Sequence, residues 1–129
     1  MLKIGIKGLG TELVTEKNVA STLGNAGVDV YATPFLIALA EKTCIDSISP
    51  EFKDGESSVG SEINIKHMAA TPMGMTVRCE SELVEVDKSK LVFKVKAFDD
   101  DEQVMEGTHI RYLINMEKFL SNVDKKAKK

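Results

Sequence analysis

Three side chains in this sequence have the types and setting that acid–base chemistry needs. Glu41 is a carboxylate in the middle of a segment with almost no polar face. His67 is an imidazole on the apolar side of an alternating run, between Ile65 and Ala69, and Thr33 heads the segment that carries Glu41. Burying a carboxylate or an imidazole is costly unless it is paired, and burial moves its pKa toward neutrality. A general acid or base works best near the ambient pH. Spacing restricts how the three combine. Thr33 and Glu41, eight positions apart on one helix, are about 12 Å apart along its axis. A joint site therefore needs His67, a substrate or a partner subunit to bridge them. Each residue also has a plainer reading: Thr33 as an N-cap, Glu41 as a partly exposed charge or a structural pair with a lysine, His67 as a satisfied core histidine. His109 and Arg111, out of phase with Ile110 and Tyr112, would line a dimer seam or face water. Cys44 and Cys79 read as small core residues, not nucleophiles.

The elements that must position these residues are legible in outline. Leu2 to Val14 reads as a strand broken by a glycine bend, and its glycines lack the Lys-Ser/Thr and the helix of a phosphate loop. Asn18 to Ala32 is expected to be a flexible loop or a short helix over a site entrance. Thr33-Pro34 suits an N-cap followed by proline in the first helical turn. Phe35 to Ile45 is apolar nearly all round, apart from Glu41 and Lys42, which is the pattern of a buried helix ending near Ser47 to Pro50. After Asp54-Gly55 the period switches from helical to two, with Ile63, Ile65, His67 and Ala69 on one face. Thr71-Pro72-Met73-Gly74 is a turn. Met75 to Val86 is a second strand, whose broken phase at Val84 and Val86 suggests a bulge. Leu91, Phe93, Val95 and Ala97 form the inner face of a third, Val104 to Asn115 is a fourth, and an amphipathic helix runs from about Met116 to Val123. Four consecutive strands with tight turns predict an antiparallel meander. The greasy helix has only that sheet to cover it, which is a hot-dog arrangement of α+β class. One such sheet leaves an edge strand and part of the helix open, so a homodimer is expected, with a tetramer left open.

The totals are consistent with one domain. A chain of 129 residues with 43% hydrophobic content has room for a single core, here residues 1–122, with a lysine-rich flexible tail at 123–129. With no Trp and few Phe and Tyr, that core must be mostly aliphatic. The net charge of -3, with no basic stripe, argues against a nucleic-acid partner. The apolar run Pro34 to Ala40 is far shorter than the roughly 20 residues of a membrane span. There is no signal-like segment at the start, so the protein is expected in the cytoplasm with its two thiols reduced. Two Cys and two His without metal-type spacing make a zinc site unexpected.

Several separate stretches also resemble one known family, the fluoroacetyl-CoA thioesterase-like group of hot-dog proteins. They are Tyr31-Ala32-Thr33 with Glu41 and Cys44, Gly60, the run His67-Met68-Ala69-Ala70-Thr71-Pro72-Met73-Gly74-Met75-Thr76-Val77, Gly107-Thr108-His109-Ile110-Arg111, and Met116-Glu117-Lys118-Phe119. The run from His67 is the most specific. The resemblance implies a catalytic set of Thr33, Glu41 and His67, with Gly60 near the thioester carbonyl and Arg111 close to the site. It implies hydrolysis of an acyl-CoA thioester in which Glu41 is nucleophile or base, His67 assists proton transfer and Thr33 positions the reacting groups. No metal or organic cofactor is implied, since CoA is part of the substrate. Leu23 to Val30 lacks the bulky aromatics of the fluorinated-acyl specialist, which points to short or medium acyl-CoA instead. Two alternatives stay open at this stage: a hot-dog hydratase acting on an acyl thioester, and a non-catalytic acyl-CoA-binding protein.

Overall fold

The computed structural model describes residues 2–129. Its elements are strand β1 (Lys7–Leu13), helix α1 (Thr33–Ile48), strands β2 (Glu56–His67), β3 (Thr76–Asp87), β4 (Lys90–Phe98) and β5 (Gln103–Asn115), and helix α2 (Met116–Ala127). The five strands form one antiparallel sheet in the order β1-β3-β4-β5-β2, packed against α1. No helix among the described residues is long and apolar enough to cross a membrane.

Only β3, β4 and β5 form a meander, so the expected four-strand meander is corrected. β2 pairs with β5 at the far edge, not with β3. The link 68–75 must cross three strand spacings of about 4.8 Å each, and its extended reach of about 26 Å is ample. Its path is held by Tyr31 N–H donating to the Thr71 carbonyl and by a bridge between Val30 and Pro72. The crossing therefore carries the chain past the head of α1 immediately after His67.

The inner face of the sheet follows the alternation expected of it. Val77, Cys79, Ser81 and Leu83 of β3 and Leu91, Phe93, Val95 and Ala97 of β4 are buried, and a register shift between Leu83 and Glu85 marks the bulge. From α1, Leu36, Leu39, Ala40, Thr43, Cys44 and Ile48 are buried. Full burial of each large aliphatic side chain contributes about 1.5–3 kcal/mol. Pro34, Ala38, Lys42 and Asp46 of the same helix remain exposed, because one sheet covers only one side of it.

β1 runs unbroken through Gly8 and Gly10, but it begins only at Lys7, and the first part of the expected strand is replaced by a turn at Ile4 and Gly5, where Gly5 has φ 102°. Gly8 and Gly10 lie inside β1, where added Cβ atoms would run into Ser81, Thr43 and Ser47; they let the strand press against α1. The segment between β1 and α1 contains a short 3-10 turn, Ala20–Leu23. Buried Asn18 fastens it: the amide donates to Glu12 Oε2 and the Leu13 carbonyl, while the backbone carbonyl accepts from Ala32 N–H. The Tyr31 hydroxyl donates to Glu12 in the same network. At the other end, α2 continues to Ala127, four residues past the expected limit, and takes Lys125 and Lys126 into its last turn.

Candidate active site

Thr33 lies in the first turn of α1, not at its cap. The N-cap is Ala32, whose carbonyl accepts from Phe35 and Leu36 N–H, and no side chain caps the helix. The Thr33 hydroxyl points instead to the end of β2, where Oγ1 lies 2.8 Å from His67 Nδ1. His67 Nε2 is buried and has no hydrogen-bond partner among the described residues. Burial pushes the His67 pKa below its ordinary 6.5, against a weaker upward pull from the Ala69 backbone, so the ring is neutral at neutral pH. The pair thus presents a hydroxyl, an imidazole and one free ring nitrogen.

Glu41 is elsewhere. Two helical turns further along α1, its Oε2 faces Arg111 Nη1 and His109 Nε2, each at 3.9 Å. The buried Arg111 guanidinium is braced by β2: Nε donates to Ser58 Oγ at 2.9 Å and Nη2 to the Ser58 carbonyl at 3.0 Å. Its Nη1 lies 3.1 Å from His109 Nε2. Gly60 closes this cluster from the β2 side. A Cβ there would sit 3.0 Å from Glu41 Oε2 and 3.2 Å from Arg111 Nη1. Glycine is what lets carboxylate, guanidinium and strand backbone approach one another. A register shift between Gly60 and Glu62 leaves Ser61 as a bulge beside it.

The five residues anticipated for the site therefore fall into two groups within one chain. Thr33 and His67 are together, as are Glu41, Gly60 and Arg111, but the two groups are separated by the length of α1 between residues 33 and 41. His67 does not bridge them. His109, expected on an outer face or a seam, is buried on the core side with Arg111, because β5 is paired so that Phe93 faces His109 and Leu91 faces Arg111. Facing residues on neighbouring strands share a side of the sheet. Ser58 carried no signal of its own; its role depends on the β2–β5 register.

The two thiols are not part of either group as nucleophiles. Burial raises Cys44 to about 12 and Cys79 to about 11, which leaves both protonated.

Comparison with known proteins places the chain by sequence and by fold. A family model for fluoroacetyl-CoA-specific thioesterases matches residues 14–117. The fluoroacetyl-CoA thioesterase of Streptantibioticus cattleyicolor is 39% identical over 99 residues, covering 77% of this chain and 71% of that protein. A solved structure of a fluoroacetyl-CoA-specific thioesterase variant superposes with a TM-score of 0.89 at 31% identity, over 98% of both chains. A thioesterase superfamily member from Thermus thermophilus shares the fold, with a TM-score of 0.92 at 20% identity over 99% of this chain and 95% of that one. By sequence along most of its length and by fold, this chain belongs to the fluoroacetyl-CoA-specific thioesterase family of hot-dog proteins.

Proposed function

We propose that the protein hydrolyses a small acyl-CoA to the free acid and CoA, using Thr33, Glu41 and His67. The observation that carries this reading is the Thr33–His67 pair at 2.8 Å with a neutral imidazole whose second nitrogen is unpartnered. A neutral imidazole held in one orientation by a hydroxyl is equipped to take up and return a proton. Glu41, facing the Arg111 guanidinium at 3.9 Å, either takes the proton of a water that adds to the thioester carbonyl or attacks that carbonyl itself. In the first route, water oxygen bonds to the carbonyl carbon, the proton passes to Glu41, and the tetrahedral oxyanion collapses with loss of the CoA sulfur. The proton then returns to the thiolate with help from His67. The closely approaching backbone at Gly60 suits the oxyanion.

A second copy of the chain supplies the missing proximity. Among the described residues the outer edge of β2 has no partner strand, and the adjoining face of α1 at Pro34, Ala38 and Lys42 is uncovered. Two chains joined through this edge would close both surfaces and bring Thr33 and His67 of one subunit toward Glu41 and Gly60 of the other. We read the protein as such a homodimer. The absence of aromatics between Leu23 and Val30 favours short or medium unfluorinated acyl groups over fluoroacetyl. Two protonated, buried thiols fit a cytoplasmic setting.

The test is free-thiol release from a panel of acyl-CoAs by native protein, His67→Ala and Glu41→Ala, with oligomeric state followed by light scattering. Release by the native protein that both substitutions abolish, with unchanged circular dichroism, supports hydrolysis through these residues. Hydration of an enoyl-CoA without thiol release, or substrate binding without turnover, overturns it.

A further inference from the structure

One buried imidazole plays no part in the mechanism above. His109 lies on β5 under the Glu41 cluster, its side chain almost wholly enclosed. Its Nδ1 is 2.8 Å from the Glu62 carbonyl, just beyond the bulge in β2. A carbonyl oxygen only accepts, so Nδ1 carries the proton and Nε2 carries a lone pair. That lone pair accepts from Arg111 Nη1 at 3.1 Å. The 3.9 Å approach of Nε2 to Glu41 Oε2 is consequently no ion pair while the ring is neutral, because two acceptors face each other there.

We propose that His109, held as the neutral Nδ1–H tautomer, is a positioning residue for thioester hydrolysis that aims the Arg111 guanidinium at Glu41, and that its protonation disarms the site. This rests on the hydrolase reading and deepens it. Arg111 is a planar fork with its donors fixed in direction. Two of them are spent on Ser58, and the lone pair of His109 sets the third so that Nη1 lies between the imidazole and the carboxylate. The ring itself cannot turn away: Phe93 stacks on it with centroids 6.3 Å apart and Glu62 holds its other nitrogen. Gly60 keeps the space open, since an added Cβ would stand 3.4 Å from His109 Cε1.

The charged and titratable groups facing the ring come from two elements. Arg111 approaches from β5 and Glu41 from α1, with the protonated Cys44 thiol of α1 beside the guanidinium. From β2 it meets the Glu62 carbonyl and, through Arg111, Ser58; from β4 it meets only Phe93. Burial, reinforced by the Arg111 cation, holds the His109 pKa below 6.5 against the opposing Glu62 and Glu41. Adding a proton to Nε2 has two effects. It removes the acceptor for Nη1 and sets two cations side by side, and it offers Glu41 a new cation already 3.9 Å away. The carboxylate would pair with the imidazolium and be drawn away from the reacting water.

Three proteins decide the question: native, His109→Gln and His109→Leu. Glutamine keeps an acceptor for Arg111 without a titrating group; leucine keeps bulk and loses the acceptor. Thiol release is measured from roughly pH 4.5 to 8, beside long-range proton–nitrogen NMR of the native imidazoles. The expected results are an Nδ1–H ring for His109 at pH 7, and a kcat/KM lowered about tenfold or less in His109→Gln, with one ionisation gone from its acid limb. In His109→Leu, kcat should fall about a hundredfold with KM little changed. Native tautomer Nε2–H, an acid limb in His109→Gln identical to the native one, or a folded His109→Leu with native kcat overturns the proposal. Should His109→Leu fail to fold, the pH profile of His109→Gln and the NMR tautomer decide alone. A native protein that cleaves no acyl-CoA refutes the hydrolase reading, and the proposal with it, even if the tautomer is as stated.

Discussion

Replacing Thr33 with valine isolates the contact on which the hydrolase reading depends. Valine keeps the shape of the side chain and deletes the hydroxyl that lies 2.8 Å from His67 Nδ1. Thr33 is exposed and its hydroxyl does not cap α1, so folding should hardly register the change. One lost exposed hydrogen bond costs about 1 kcal/mol at most, or ~3–5 °C of Tm for a chain of this size. The effect on turnover is larger for a structural reason. His67 Nε2 already has no partner, so in Thr33→Val neither ring nitrogen keeps the side-chain contact that orients it. An imidazole misplaced by about 1 Å costs on the order of a hundredfold in rate, equivalent to about 2.7 kcal/mol in the transition state. Thiol release under saturating and limiting acyl-CoA should show the loss in kcat with KM nearly constant. Thr33→Ser restores the hydroxyl and should recover activity to within about fivefold of native. A Thr33→Val protein as fast as native, or a Thr33→Ser protein as slow as Thr33→Val, would refute the reasoning.

Two glycines should fail differently. Gly60→Ala puts a Cβ 3.0 Å from the Glu41 carboxylate, which can give way, and 3.2 Å from the braced Arg111 guanidinium, and should slow turnover at least about tenfold with little change in melting. Gly107→Ala drives a Cβ into the Asn64 carbonyl and the Ile65 backbone and should cost about 1–3 kcal/mol or more of stability, read by thermal melts. Arg111→Leu strands the Ser58 acceptors and His109 Nε2 and removes the counter-ion of Glu41; a stability loss of about 2–4 kcal/mol in urea is expected, and a loss below about 1 would mean the guanidinium is not braced as described. His67 and His109 both have folded pKa values pushed below 6.5 by burial, so below that value the unfolded chain binds more protons. Their contribution to stability is therefore present above pH 6.5 and lost as pH falls through the folded values. Tm should be flat from pH 8 to 7 and decline below about 6.5, ahead of carboxylate titration; a flat Tm down to about pH 5 would contradict burial of both rings.

Periodicity was sufficient for the elements whose faces are uniform. The apolar stretch from Pro34 to Ile45 had to be a packed helix, and Leu91, Phe93, Val95 and Ala97 had to face it, because both patterns repeat at the period of their own backbone. Thr33, Glu41 and His67 could be singled out for the same reason, as polar groups set into apolar surroundings. Pairing was another matter. Nothing in local sequence says that β2 leaves its neighbour β3 and crosses to β5, since strand order is decided by which edges the whole sheet leaves free and by where the link 68–75 is held. On β5, Ile110 and Tyr112 are as apolar as an inner face should be, so periodicity alone puts His109 and Arg111 on a seam or in water, and only the family resemblance brings Arg111 near the site. Pairing with β4 reversed that assignment by placing them opposite Phe93 and Leu91. The residue types capable of the chemistry were thus evident from the chain alone. Which of them meet, with the hydroxyl on one imidazole and the carboxylate beside a guanidinium and the other, depended on strand register and on the length of α1, distances that only the folded sheet and helix define.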